Sequence, residues 1–188
     1  MPENFVSISE DRVKRAEILL QTARAHPTEF VSTQLGKVRE VIVAYYGGCK
    51  GININAYGAD ALGATGNLVE IKTTIPWKSG TIAFNYGPIR QEKRLKLSGC
   101  EHLLAVFTPN QELEEIHFLS GPEWEQAISS SKAVKNMKLT LKKAIQFGAR
   151  KIWSTKPNLT MNMTILNTSG MKTPSTMTQM TIDNLGIL

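Results

Sequence analysis

Apolar positions along the chain follow two periods. Over SEDRVKRAEILLQTARAH, residues 9–26, Val13, Ala16, Leu19, Leu20 and Ala23 recur at helical spacing. Ser9 is a candidate N-cap, and Glu10 and Asp11 suit a first turn, where carboxylates complement the helix dipole. The pattern predicts a helix closed by His26-Pro27. A second helix is predicted from about Thr33 to Tyr46 on Leu35, Val38, Val41, Ile42 and Tyr45, stopped by Gly47-Gly48. The period then falls to two. Ile52 to Ala56 alternates, Ala59-Asp60-Ala61 follows Gly58, and GATGN at 63–67 is a turn leading into the strongest strand signal, Leu68 to Thr74.

Beyond that strand, Ile82-Ala83-Phe84 is a short apolar piece and Pro88–Leu97 reads as a helix. Leu103–Phe107 and Glu114–Leu119 read as strands separated by a Pro109-Asn110 turn. Pro122 marks a helix start whose pattern resumes to about Phe147, with Val134, Met137, Leu141 and Ile145 on one stripe. Lys135, Lys138 and Lys142 lie about 100° round from that stripe, as a solvated face or one that tracks phosphates. Residues 154–188 hold five of the seven methionines and little charge, and read as a hairpin, an oligomer contact or a loose tail.

With 188 residues and 41% hydrophobic content, the chain has enough material for one globular core plus an extension, with no internal repeat. No apolar run approaches the ~20 residues of a membrane span. The opening residues lack a secretory pattern, so a cytoplasmic protein with no membrane partner is expected. Cys49 and Cys100 have no metal-ligand spacing and read as buried thiols. Formal charge is +6, unevenly spread: 101–131 contain six glutamates and no lysine or arginine, whereas 132–156 contain eight basic residues and no acid. A polyanionic partner fits this distribution, although charge alone leaves the function open.

The chemistry concentrates in GADALGATGNLVEIKTT, residues 58–74. Residues i and i+2 of a strand share a face, so Glu70 and Lys72 point the same way. A tight turn brings Asp60, at the end of the preceding strand, beside them. Two carboxylates and an amine on one patch suit phosphodiester hydrolysis. Mg²⁺ takes oxygen ligands and keeps several waters, so Asp60 and Glu70 suffice to hold it, and Mn²⁺ is expected to substitute. The metal would offset phosphate charge and lower the pKa of a bound water. Lys72 would orient that water and balance two anions whose repulsion costs about 1–4 kcal/mol. An ion-pair cluster without catalysis is the plain alternative.

Asp60 followed by Glu70-x-Lys72 after a Gly/Asn turn resembles the PD-(D/E)xK nuclease superfamily, which includes most Type II restriction endonucleases. The proline common before the first Asp is absent, and Ala59 stands there. The resemblance covers roughly residues 35–125 and is strongest to the PvuII-type branch. It implies an α/β (α+β) restriction-endonuclease-like core, with a mixed central sheet flanked by helices over residues 1–153 and a C-terminal extension over 154–188. The implied activity is Mg²⁺-dependent cleavage of double-stranded DNA at a short palindrome by a homodimer. Alternatives are a structure-specific nuclease of the same fold, such as a junction resolvase or a phage or repair nuclease, or a non-catalytic DNA-binding module. In several branches a Glu on the helix before the motif completes the metal site. Glu40 occupies such a position, and pairing with Lys37 or Arg39 is its other reading.

Residues 76–96 follow the motif strand directly, where the resemblance places DNA-reading segments. Lys78 and Asn85 are the candidate base contacts. Arg90, Arg94 and Lys96 are candidates for the DNA backbone or for pairing with Glu92. Trp77 and Phe84 read as core, and His102 and His117 as structural or exposed.

Overall fold

A computed structural model describes residues 4–26, 32–55, 58–76, 80–88, 90–130 and 138–155. It is a mixed α/β fold. Strands β1 (Phe5–Ser7), β2 (Gly51–Asn53), β3 (Ala61–Leu62), β4 (Leu68–Thr74), β6 (Glu101–Phe107), β7 (Leu113–Leu119) and β9 (Arg150–Ser154) form one seven-stranded sheet in the order β1-β2-β3-β4-β6-β7-β9. Strands β5 (Ala83–Asn85) and β8 (Lys138–Thr140) form a separate two-stranded ribbon. In the large sheet only β4 and β6 run parallel. Their connection must therefore cross over, and it carries β5 and helix α3 (Gln91–Ser98).

Helices α1 (Glu10–Ala25) and α2 (Ser32–Tyr46) cover one face of the sheet. Ser9 caps α1 by accepting from the Arg12 N–H at 3.2 Å, with Glu10 and Asp11 in the first turn as the sequence suggests. Val13, Ala16 and Leu20 of α1, and Ile42 and Val43 of α2, bury against Val69, Ile71, Leu103 and Ala105. The other face packs Leu104, Val106 and Leu119 against Phe84, Trp124 and Ile128. Helix α4 (Gly121–Ser129) starts in a capping box: Ser120 Oγ accepts from the Glu123 N–H, and the Glu123 carboxylate accepts from the Ser120 N–H at 2.8 Å.

The element between 122 and 147 departs from the sequence reading. Instead of one helix to Phe147, α4 ends at Ser129, and β8 and a short helix, α5 (Leu141–Gln146), follow residues 131–137, which lie outside the described set. Leu139 lies on the far side of a helix from the predicted stripe, and here it is 1% exposed and lies opposite Phe84 across the ribbon. Tertiary burial decided against the local period. Lys138 and Lys142 consequently sit on a strand and a different helix and share no helical face. Strands β1 and β9, which the pattern did not indicate, close the two edges of the sheet. The extension beyond Thr155, together with Trp77, Lys78 and Lys135, lies outside the described residues. Both cysteines are free thiols, Cys100 buried and Cys49 half-buried. No helix among the described residues is long and apolar enough to cross a membrane.

Candidate active site

The site exists because β3 is short. It pairs with β4 only at Leu68 and Val69, so β4 from Glu70 onward has an open edge on that side. Asp60, the residue before β3, fills the first gap. Its Oδ2 accepts from the Ile71 N–H at 2.8 Å, a backbone donor that a longer β3 would have taken. Asn53 fixes the approach to this turn. The Asn53 N–H donates to the Asp60 carbonyl at 2.8 Å, and Asn53 Nδ2 donates to the Ala59 carbonyl at 2.8 Å.

Alternation along β4 sends Val69 and Ile71 into the core beneath α1 and α2. Glu70 and Lys72 project from the opposite face of the strand. Lys72 Nζ lies 2.5 Å from Glu70 Oε1, 3.9 Å from Asp60 Oδ2 and 3.2 Å from the Ile71 carbonyl oxygen. Helix α2 adds Glu40 and Lys37, one turn apart. Lys37 Nζ lies 2.7 Å from Glu40 Oε2 and 3.5 Å from Asp60 Oδ1. Asp60, Glu70, Lys72 and Glu40 are thus brought together as the sequence suggested. Glu40 pairs with Lys37, and the charges of Asp60 and Lys72 also act on it. Arg39 turns away to Gln111.

Three acidic and two basic side chains in a mostly buried cluster perturb one another. Burial, reinforced by the neighbouring Asp60 charge, lifts the Glu40 carboxyl to about 7 against the pull of Lys37 and Lys72. Burial also raises Glu70, partly offset by Lys72. For Lys72 burial acts downward, but Glu70 and Asp60 outweigh it and hold the ammonium above its ordinary value. Lys37 behaves alike, with Glu40 its main counterweight. Both amines therefore remain charged at neutral pH, and the surplus of negative charge falls on the carboxyls.

The donor set suits a hard divalent cation. Oxygens from Asp60, Glu70 and the Ile71 carbonyl already surround a positive charge, that of Lys72. No group of three His, Cys, Asp or Glu side chains in ready metal-binding array occurs among the described residues. Mg²⁺ needs no such cage, because one or two carboxylates plus waters and substrate oxygens serve it.

The candidate DNA contacts among the described residues do not join this cluster. Asn85 is exposed on β5, where its Oδ1 accepts from the Gly87 N–H at 2.8 Å. Arg90 is exposed at the N-terminus of α3. Arg94 is bound to Glu125 and Ser129 of α4, and Lys96 pairs with Glu92 at 3.1 Å on the exposed side of α3.

Several site residues escaped the sequence reading. Asn53 carried a faint signal, a polar residue between two isoleucines. Lys37 was visible only as a partner for Glu40. Lys93 and Tyr86 fell within the 76–96 stretch but carried no assigned role. His102, directly across from Glu70 on β6, is fully buried, and burial pushes its imidazole down to about 4, so it stays neutral. It is structural, as expected. His117 is buried beside Glu115.

No protein-family model matches this chain, and no curated protein matches it.

Proposed function

We propose that this chain is a Mg²⁺-dependent endonuclease of double-stranded DNA of the PD-(D/E)xK type, acting as a homodimer on a short palindromic site. The observation that carries the reading is the placement of Lys72 Nζ 2.5 Å from Glu70 and 3.9 Å from Asp60 at the open edge of β4. The succession α2, β2, β3, β4, α3, β6, β7, α4 supports it, being the order that the resemblance implies for a restriction-endonuclease-like core. A two-fold symmetric protein would match a palindrome, each subunit cutting one strand.

Asp60 and Glu70 would hold the metal, with Glu40 reaching the same pocket from α2. When bound, Mg²⁺ offsets the charge that develops on the phosphate and makes its bound water a better nucleophile. Asp60 is held against the backbone of Ile71, which fixes one oxygen and leaves the other toward Lys37. Lys72, charged at neutral pH, orients the attacking water through its N–H donors and stabilises the extra negative charge as the phosphorus becomes five-coordinate. Because Glu70 and Asp60 keep it protonated, it serves as donor and counter-charge rather than as the base. Asn85, Lys78 and Arg90 would supply DNA contacts from the crossover that follows β4. Arg94 and Lys96 are occupied by Glu125 and Glu92 in the free protein and would have to exchange those partners for phosphates.

The test is incubation of the purified protein with plasmid and phage DNA in added Mg²⁺, followed by sequencing of fragment ends. Discrete fragments with one common end sequence are expected. Asp60→Asn and Lys72→Met should each lower the cleavage rate by about 10²–10³-fold or more while the circular dichroism spectrum stays native. Near-normal cleavage by either variant refutes the assignment. Cutting only at branched junctions would replace the palindrome specificity with structure specificity. Salt-sensitive DNA retention without hydrolysis in Mg²⁺ or Mn²⁺ would leave a DNA-binding module.

A further inference from the structure

On the face that carries Glu70 and Lys72, the surface flanking the lysine is aromatic. Tyr86, one residue beyond β5, is 2% exposed, and Lys72 Nζ stands 5.6 Å from the centre of its ring. The ring is itself anchored. Its hydroxyl lies 3.1 Å from His102 Nδ1, and His102 Nε2 lies 2.9 Å from the Leu97 carbonyl oxygen. That carbonyl can only accept, so Nε2 carries the imidazole proton and Nδ1 accepts from the Tyr86 hydroxyl. The imidazole stacks on Trp124 at 4.9 Å between centroids and 8° between planes. From the other side, Lys93 Nζ donates to the Tyr86 carbonyl at 2.7 Å. Along this strand Phe84 is buried, Asn85 exposed and Tyr86 buried, so the ring is the immediate chain neighbour of the candidate base contact.

We infer that Tyr86 is a positioning residue for Lys72, its ring face holding the ammonium between Glu70 and Asp60 and tying that position to the segment around Asn85. The catalytic consequence rests on the nuclease reading, while the holding of the lysine does not. Lysine is a flexible four-carbon chain with a point charge, and two carboxylates attract it without fixing its path. An aromatic face attracts an ammonium most strongly where water is excluded, and it also fills the space into which the chain would otherwise swing. Without the ring, Lys72 keeps its charge and loses its place. A displacement of about 1 Å at a reacting centre is enough to cost up to a hundredfold in rate.

The test compares Tyr86→Met, which keeps apolar bulk, with Tyr86→Phe, which keeps the ring. Single-turnover cleavage by Tyr86→Met should fall about tenfold or more, the size of a desolvated ammonium–ring contact. DNA affinity should change by less than about threefold, because no DNA-contacting charge is removed. Tyr86→Phe should stay within about threefold of the natural protein, since the ring face is kept and only the hydroxyl's polar contacts with His102 and Trp124 are lost. In parallel, reductive methylation of Lys72 without DNA, followed by mass spectrometry, should be faster in Tyr86→Met than in the natural protein and unchanged in Tyr86→Phe. If Tyr86→Met does not fold, Tyr86→Leu also removes the ring while keeping apolar bulk and should show the same pattern. Equal impairment in the Met and Phe variants, or unchanged methylation of Lys72 in Tyr86→Met, overturns the inference. If the natural protein cuts no DNA, the nuclease reading fails and the methylation comparison alone decides whether Tyr86 holds Lys72.

Discussion

Replacing Glu40 by glutamine separates the charge of the α2 carboxyl from its shape. Glutamine stands in for the protonated carboxyl and still offers an oxygen to Lys37, 2.7 Å away in the natural protein. Burial and the Asp60 charge raise Glu40 from its ordinary 4.5 to about 7 in the folded chain. Between those values the folded state binds a proton that the unfolded state has released, so this group's contribution to stability falls as pH rises through the window. Above it the carboxylate costs the fold about 3 kcal/mol, each unit of displacement being worth about 1.4 kcal/mol. Glu40→Gln removes that cost. It should raise the melting midpoint at pH 8 by roughly 6–12 °C for a chain of this size, and change it little at pH 5, where folded Glu40 is protonated. Scanning calorimetry in chelator-containing buffer at pH 5, 6, 7 and 8 measures the difference. Under the proposed function, Mg²⁺ added at pH 8 should stabilise the natural protein more than the variant. A shift of equal size at pH 5 and pH 8, or destabilisation at pH 8, refutes the electrostatic account.

Two further outcomes follow from the packing. A Cβ at Gly121 would stand 2.1 Å from the Ser98 carbonyl oxygen and 2.8 Å from that of Cys100, both backbone atoms, so Gly121→Ala should destabilise by about 1–3 kcal/mol or more, read as a lower urea midpoint at unchanged slope. His102, pushed down to about 4, should show no imidazole titration by NMR between pH 8 and 5; its contribution to stability is complete above its ordinary 6.5 and is lost as pH falls toward about 4.

The parts of this fold that were legible share one property: their signal is local. Leu68–Thr74 alternates cleanly and forms β4 with the same bounds. Ser9 caps α1, and Gly47-Gly48 ends α2, because caps act within one turn. The convergence of Asp60, Glu70 and Lys72 was readable because a short turn and a two-residue period fix it. Strand β8 was not, since its partner β5 lies more than fifty positions earlier and the spacing of Val134, Met137, Leu141 and Ile145 around it reads as a helix. Lys37 beside Asp60 and Tyr86 beside Lys72 depend on how α2 and the crossover settle on the sheet. No local pattern encodes those contacts.

The parallel pairing of β4 with β6 leaves a mark on how such a chain can change over time. Two strands that run the same way must be joined by a long return path, whose length does not alter their register from Val69–Glu101 to Thr74–Val106. Residues can be added or removed between Ile75 and Ala83, or between Gly87 and Gln91, without moving either carboxylate. Under the proposed function, target choice can therefore drift by loop replacement while Asp60, Glu70 and Lys72 stay where the sheet holds them, provided the aromatic post at position 86 keeps its footing.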